Sequence, residues 1–370
     1  MRVLMLCKNA EIGGLTMCTG NLARSLESYC GIRTVIAICE GESVHSTLAD
    51  LETHIVPFDT KNPLRIIRNY RTVARLVREK EIDVLHAQNR IPALYAALYH
   101  FFHRRVPYLW ANHQTPIPAG FFHRRMTRYG YKAVAEGENG KKLLIRDLKI
   151  PARDVEVINL GVELGAIRKT SDEEQRALKA RYGIGEDEKV LLLYGRLDRS
   201  KGHLHLLSAL EGLTEYPFRV VFPGEDDVYK KEIIEDAKKR NMEDRLIFPG
   251  FIRGNSWLSI SDLMVLPSRQ EGFGIANIEA FALHVPVIRS KTGGYAEMRD
   301  LCFGMEYGDV TCLKELLARF FAGDPAFKEK ADLAEKEVSR FSTEKEASAY
   351  ADLYMRAVRD SAGKYVGVSA

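Results

Sequence analysis

Two carboxylates, Glu271 and Glu279, stand eight residues apart on either side of a loop made of Gly272, Phe273 and Gly274. The loop follows the apolar run Leu263–Leu266 and opens a helical pattern near Ile275. Glycines around one aromatic let the backbone approach a ligand closely with its N–H groups turned outward. The helix start adds unpaired N–H groups and the positive end of a dipole, a combination suited to phosphate. Glu279 lies one turn in and leans back toward that start. The two acids can therefore flank a phosphate and accept hydrogen bonds from sugar hydroxyls, although alone the segment is equally an ordinary turn with an N-terminal acid. Arg196 and Lys201, five residues apart between Gly195 and Gly202, follow another apolar run. Two cations at a strand-to-helix turn can clamp a diphosphate from one side, or form a plain solvated turn. The G-x-x-x-x-G-K-[ST] phosphate loop is absent. Gly13 and Gly14 follow the first apolar run, and His113 follows Tyr108–Asn112. A single histidine is more often structural than catalytic.

These residues need elements to hold them. Candidate strands in the first half are Arg2–Cys7, Thr34–Cys39, His54–Pro57, Val84–His86, Tyr108–Asn112, Lys132–Ala135 and Val155–Asn159, with helical patterns at Leu15–Tyr29, Leu64–Lys80 and Gly137–Leu148. Such alternation predicts a parallel sheet wrapped by helices. The stretch from Gly165 to Glu188 is polar and lacks a strand pattern, which reads as a junction. A second series follows at Lys189–Tyr194, Arg219–Phe222, Leu246–Phe248, Leu263–Leu266 and Val287–Arg289. The expected fold is α/β, two Rossmann-like doubly wound domains facing across a cleft. The expected division is an N-terminal domain 1–165, a linker 166–188, a C-terminal domain 189–342, and a last helical segment 343–370 crossing back to the first domain. In such sheets ligands bind outside the carboxyl ends of the strands.

Composition bounds the partners. Hydrophobic residues make up 46% and charged residues 28% of 370, which excludes a disordered or collagen-like chain. Six cysteines occur without a C-x-x-C pair, pointing to a reduced compartment rather than structural zinc. Met1–Cys7 is too brief for a signal peptide and the longest apolar stretch, Ile91–Phe102, is too short to span a bilayer. The expected location is cytoplasmic. Between Asp83 and Glu136 lie 52 residues with no acid, seven Arg or Lys, and five of the ten histidines. That bias fits an anionic partner, whether nucleic acid, lipid headgroup or sugar phosphate, or a solvated basic face.

Taken together, Gly13 and Gly14, the Asn159–Glu163 segment, Gly195 and Arg196 with Lys201, Glu271–Gly274 with Glu279 and Ala280, and Gly293 and Gly294 with Glu297 resemble, in order and spacing, the retaining glycosyltransferases of family 4. The likeness covers nearly the whole chain and implies the GT-B fold. It implies that Arg196 and Lys201 hold a donor diphosphate, helped by N–H groups of Ile275 and Ala276, and that Glu279 binds the ribose. Glu271 is then expected on the transferred sugar beside Gly272, Phe273 and Gly274, with the base near Phe251 and Ile252. His113 matches the family's first-domain histidine next to the reacting sugar. His284 stands where the family usually has Gly, and Ala135 where Ser is common. No cofactor or metal is expected, only a nucleotide-sugar co-substrate, UDP- or GDP-linked. Glu225, Asp226 and Asp227 read as a helix start.

The acceptor is expected to be a glycan or a lipid-linked molecule, with a soluble small molecule as the alternative. The repeated pieces Phe101, Phe102, Arg104, Arg105 and Phe121, Phe122, Arg124, Arg125 suit a peripheral contact with an anionic membrane, extended by Arg65, Arg68, Arg75 and Arg78. The same residues are equally consistent with core aromatics and solvated charge. Two other classes fit poorly. A nicotinamide enzyme needs G-x-G-x-x-G after a first strand, which is absent; a nucleic-acid-binding module would leave the glycine-rich motifs without purpose.

Overall fold

The computed structural model describes residues 1–8, 14–41, 44, 46–58, 62–113, 120, 124, 126–252 and 255–366. The chain forms two compact units, Met1–Gly161 with Phe341–Ala370, and Val162–Arg340.

The first unit is built on a parallel sheet. Among the described residues its strands are β1 (Arg2–Cys7), β2 (Arg33–Ile38), β3 (Thr53–Ile55), β4 (Val84–Ala87), β5 (Tyr108–Asn112), β6 (Ala133–Ala135) and β7 (Val155–Val157), in the order β3-β2-β1-β4-β5-β6-β7. Val3 pairs with Thr34 on one side and Val84 on the other. From Val3 to Cys7 every residue is buried, the unbroken apolar run of a strand covered on both faces. The covering helices are α1 (Gly14–Cys30), α2 (Pro63–Glu79), α3 (Arg90–Phe102) and α4 (Glu138–Leu148). Helix α2 starts where the Asn62 side chain accepts the N–H groups of Leu64 and Arg65, with Pro63 at its first position. It buries Asn69, Val73, Leu76 and Val77 and turns its arginines outward.

In the second unit α5 (Asp172–Arg181), β8 (Lys189–Leu192), α6 (His203–Leu210), β9 (Phe218–Val221), α7 (Asp227–Lys239), β10 (Leu246–Ile247), α8 (Ser256–Ile260), β11 (Leu263–Leu266), α9 (Ile275–Ala282), β12 (Val287–Ser290), α10 (Tyr295–Met298), β13 (Phe303–Met305), α11 (Val310–Phe321) and α12 (Ala326–Glu337) follow in turn. Its sheet runs β10-β9-β8-β11-β12-β13, the strand order of a dinucleotide fold. In each unit the connections reverse direction once, between β1 and β4 and between β8 and β11, and a crevice forms at the carboxyl ends of those strands. The final helix, α13 (Thr343–Val366), belongs to the first unit. Its Ala347, Tyr350, Leu353 and Tyr354 are buried with Val3, Met5, Leu22 and Leu26 in one core cluster, and the Tyr354 hydroxyl is hydrogen-bonded to His86 Nδ1 at 2.7 Å.

Two features of the domain division differ from the sequence-based expectation, and one stretch left without an element gains one. Residues 166–188 fall inside the second unit rather than forming a separate linker, because Tyr182 packs edge-on against Trp257 at 4.9 Å, the Thr170 N–H reaches Ser259 Oγ, and Arg219 pairs with Glu188. The division falls at Gly161 rather than 165. The apolar stretch from Ile91 to Phe102 is helix α3, burying Pro92, Ala93, Tyr95, Ala96 and Tyr99.

Candidate active site

In the second unit the switch between β8 and β11 brings two loops together. The loop after β8 carries Arg196 and ends in a short turn, Arg199–Lys201, where the Asp198 carboxylate accepts the Ser200 N–H. Gly202 then takes φ +78°, and a Cβ there would stand 2.2 Å from the Pro267 carbonyl oxygen; only glycine fits. The Arg269 N–H donates to Ser200 O at 2.7 Å, which ties the β11 loop to the β8 loop. The Lys201 stem lies over Gly195, and its ammonium donates to Glu271 Oε1 at 2.8 Å. Sequence reasoning assigned these two residues separate tasks; the structure makes them an ion pair, with side chains 18% and 13% exposed. Arg196 is exposed on the same loop, backed by Gly224, whose α-carbon packs against the Arg196–Leu197 backbone.

The Glu271–Gly274 loop is pressed from behind. Gly294 N–H donates to Gly272 O, and a Cβ on Gly293 would fall 1.8 Å from that oxygen. Phe273 is buried while Gly272 is exposed. Gly274 precedes α9 directly, and the Asn277 amide folds back to Gly274 O at 2.8 Å. Ile275 and Ala276 form the first turn, half-buried. Glu279 lies in the next turn, where burial lifts its carboxyl to about 7. Its charge in turn adds to burial in raising Tyr194 to about 12. Ile252 is half-buried in the chain leaving β10, next to an exposed Phe251. Asp226 caps α7 by accepting the Tyr229 N–H, so the neighbouring acids begin a helix.

One residue of this region was missed. Arg289, on β12, has no solvent exposure. Its Nη2 donates to Thr292 O at 2.7 Å and its Nη1 meets Met298 Sδ. The guanidinium lies 3.0 Å from the point a Cβ on Gly274 would occupy, within the electrostatic field of Glu271 and Glu297. Burial pulls its pKa below the usual arginine value. The signal was available: an arginine directly after the apolar run Val285–Ile288 and within the same strand pattern. His284 adopts φ +60° just past α9, the backbone region that glycine favours after a helix, and its ring is tied to Asp332 at 2.6 Å.

In the first unit the ends of three adjacent strands converge. Gln88 follows β4, His113 follows β5 and Glu136 follows β6. His113 Nδ1 is 2.5 Å from Glu136 Oε1, and Nε2 is 2.6 Å from Gln88 Oε1. Of the three, sequence reasoning named only His113. Gly14 opens α1, while Gly13 lies outside the described residues. No group of three or more His, Cys, Asp or Glu side chains among the described residues is placed to hold a metal.

The surface at the end of α3 is apolar and basic together. Phe101 and Phe102 are 64% and 63% exposed, next to exposed Arg104 and Arg105. On α2, Leu64 and Ile67 are exposed among the exposed Arg65, Arg68, Arg75 and Arg78. Arg124 is exposed, its Nε bonded to Asp147 O; Phe121, Phe122 and Arg125 lie outside the described residues. No described helix is long and apolar enough to cross a membrane.

Comparison with known proteins agrees with this layout. Residues 12–165 match the family described as Glycosyltransferase Family 4, and residues 174–300 the one described as Glycosyl transferases group 1. The chain is 29% identical over 189 residues to N-acetyl-alpha-D-glucosaminyl L-malate synthase of Bacillus anthracis, covering 50% of this chain and 49% of that protein. It is 27% identical over 237 residues to a Bacillus subtilis protein named for teichuronic acid biosynthesis, TuaC, covering 61% and 58%. The chain thus spans about half the length of the curated relatives it matches. Among solved structures, a glycosyltransferase of Rickettsia africae matches with a TM-score of 0.85 at 21% identity, covering 96% of this chain and 98% of that one. Anabaena Alr3699/HepE in complex with UDP-glucose matches with a TM-score of 0.80 at 20% identity, covering 96% and 100%. At such identities the likeness concerns the fold, a GT-B arrangement of two Rossmann-like domains.

Proposed function

Because the chain belongs to the group 1, family 4 glycosyltransferases, we propose that it moves a sugar from a nucleotide-sugar donor to a glycan or lipid-linked acceptor. The transfer proceeds with retention at the anomeric carbon and without a bound metal. The product is part of a surface polysaccharide or glycolipid, built by a cytoplasmic enzyme at the membrane face.

The observation that carries this reading is the meeting of Lys201, Glu271 and the start of α9 at the carboxyl ends of β8 and β11. An ammonium has three N–H donors. One goes to Glu271, leaving two for a diphosphate. The second Glu271 oxygen is then available to a hydroxyl of the transferred sugar. When the bond between the anomeric carbon and the diphosphate oxygen breaks, charge grows on the leaving group. Arg196, Lys201 and the N–H groups of Ile275 and Ala276 stabilise that charge without reorganising. Glu279 takes the ribose hydroxyls, and the base rests by Ile252. His113 is assigned to the sugar itself, as a group that polarises it rather than a nucleophile. The UDP-glucose complex of the Anabaena relative supports a UDP-linked donor.

The acceptor reading leans on the exposed Phe101 and Phe102 with their arginines, which suit an anionic lipid surface. A soluble acceptor is the second reading, favoured by the relative named for L-malate. A thermal-shift screen of UDP-, GDP- and ADP-sugars identifies the donor, and NMR of the product reads its anomeric configuration. An inverted product, or strict dependence of turnover on a divalent metal, overturns the mechanism.

A further inference from the structure

His113 is held from both sides. Glu136 Oε1 lies 2.5 Å from Nδ1 and Gln88 Oε1 lies 2.6 Å from Nε2. The side chains of His113 and Glu136 are only 12% and 18% exposed, and Gln88 is 2% exposed. Both facing atoms are acceptors. They are satisfied together only by an imidazolium, or by a neutral ring that gives its Nδ1 proton to Glu136 while the Gln88 amide turns its NH2 toward Nε2. Either way the Nδ1 proton belongs to Glu136. Nε2 is then the nitrogen left to a substrate, and Gln88 covers it.

The Gln88 backbone cannot move away easily, because its N–H is bonded to Leu6 O at the end of β1. Its side-chain Nε2 is buried with no hydrogen-bond partner. A buried donor without a partner is unfavourable, so a hydroxyl arriving at this point gains from both Gln88 and His113. A second carboxyl lies within the electrostatic field of Glu136. Glu346 of α13 is 5% exposed, accepts the Gly161 N–H at 2.9 Å, and is raised to about 8 by burial and by the charge of Glu136. It is therefore mostly neutral at pH 7.

We infer that Glu136 is the positioning residue of His113, fixing its Nδ1 proton so that Nε2 faces the transferred sugar, and that Gln88 caps Nε2 until a sugar hydroxyl replaces it. This rests on the reading of His113 as the sugar-facing group, and the test separates the two. In the donor-free protein, 15N-labelled at histidine, a downfield exchangeable proton on His113 Nδ1 is expected in wild type and in Gln88→Ala. It is expected to be lost in Glu136→Ala and in His113→Ala. Persistence of that resonance in Glu136→Ala overturns the inference, whatever the substrate. With the donor found by the screen, Glu136→Ala is expected to lower kcat about 100-fold at a donor KM within about threefold of wild type, as for loss of an orienting acid. Glu136→Gln, which keeps an acceptor for Nδ1–H, recovers about tenfold of that loss. The double variant Glu136→Ala, His113→Ala is expected to be no slower than His113→Ala alone, since the two act as a unit. Multiplied losses in the double variant refute positioning, while an unchanged kcat in His113→Ala with the resonance still lost in Glu136→Ala refutes only the sugar-facing role.

Discussion

Replacing Arg196 and Lys201 by alanine separates activity from stability. Arg196 is exposed, and surface substitutions of this kind move stability by about 0.5 kcal/mol at most. Lys201 is different, because its ammonium lies 2.8 Å from Glu271 and both side chains are over four-fifths shielded. Removing one partner of a fully buried pair costs about 3–5 kcal/mol, because the other charge is left unpaired. Here the residual exposure and the Arg289 guanidinium, whose field reaches Glu271, bring the expected loss to about 2 kcal/mol. For a unit of this size each kcal/mol shifts Tm by roughly 2–4 °C. Lys201→Ala should therefore unfold about 4–8 °C lower, and Arg196→Ala within about 2 °C of wild type. Both should lose about 2–4 kcal/mol of transition-state stabilisation, or roughly 30- to 1,000-fold in kcat/KM. Circular dichroism melts and a nucleotide-release assay read the two quantities. Adding Glu271→Ala to Lys201→Ala should recover part of the lost Tm, since no carboxylate remains unpaired. Equal melting of the two single variants would dismiss the buried pair, and normal turnover in both would dismiss the donor site.

Three further outcomes follow from the same geometry. Burial raises Glu346 from 4.5 to about 8, so its neutral form favours the folded state below 4.5 and that advantage is lost as pH rises through 8; Glu346→Gln should melt near wild type at pH 4.5 and clearly above it at pH 9, and a pH-independent difference contradicts the burial argument. Glu279, lifted to about 7 by burial, ionises between pH 6 and 8, so donor affinity by calorimetry should rise over that interval in wild type and stay flat in Glu279→Gln. Changing Phe101 and Phe102, both mostly exposed, to serine should lower co-sedimentation with phosphatidylglycerol vesicles about tenfold at low salt, and equal, negligible binding of wild type to anionic and neutral vesicles favours the soluble acceptor.

The strands were legible because a sheet covered on both faces demands short unbroken apolar runs, and these stand out between polar helices. The two glycine loops proposed to hold the donor were legible because glycine, cation and acid recur at fixed distances along the chain. Gln88 and Glu136 left no such trace. Each is a single polar residue past a strand end, and what joins them to His113 is the neighbourhood of β4, β5 and β6 in the sheet, which spacing along the chain does not encode. Arg289 was passed over because its strand reads as apolar; its partners, Thr292 O and Met298 Sδ, come from the following turn and helix. The stretch 166–188 read as a linker because α5 buries none of its residues. The contacts that attach it to the second unit come from residues flanking that helix, at Thr170, Tyr182 and Glu188.

The chain leaves the first unit at Gly161 and re-enters it at Phe341, and these two points are neighbours. A Cβ on Gly161 would stand 2.6 Å from the Thr343 Cα. The second unit is thus an insertion whose ends meet, and the first is completed by residues that follow it in the chain. A nascent chain that has reached Arg340 carries the whole second unit, yet its first unit lacks α13. Val3, Met5, Leu22 and Leu26 are then missing part of their cover, and His86 has no Tyr354 hydroxyl to meet its Nδ1. The order of synthesis makes the inserted unit able to fold while its host waits, so the unit that holds His113 matures only once α13 has been made.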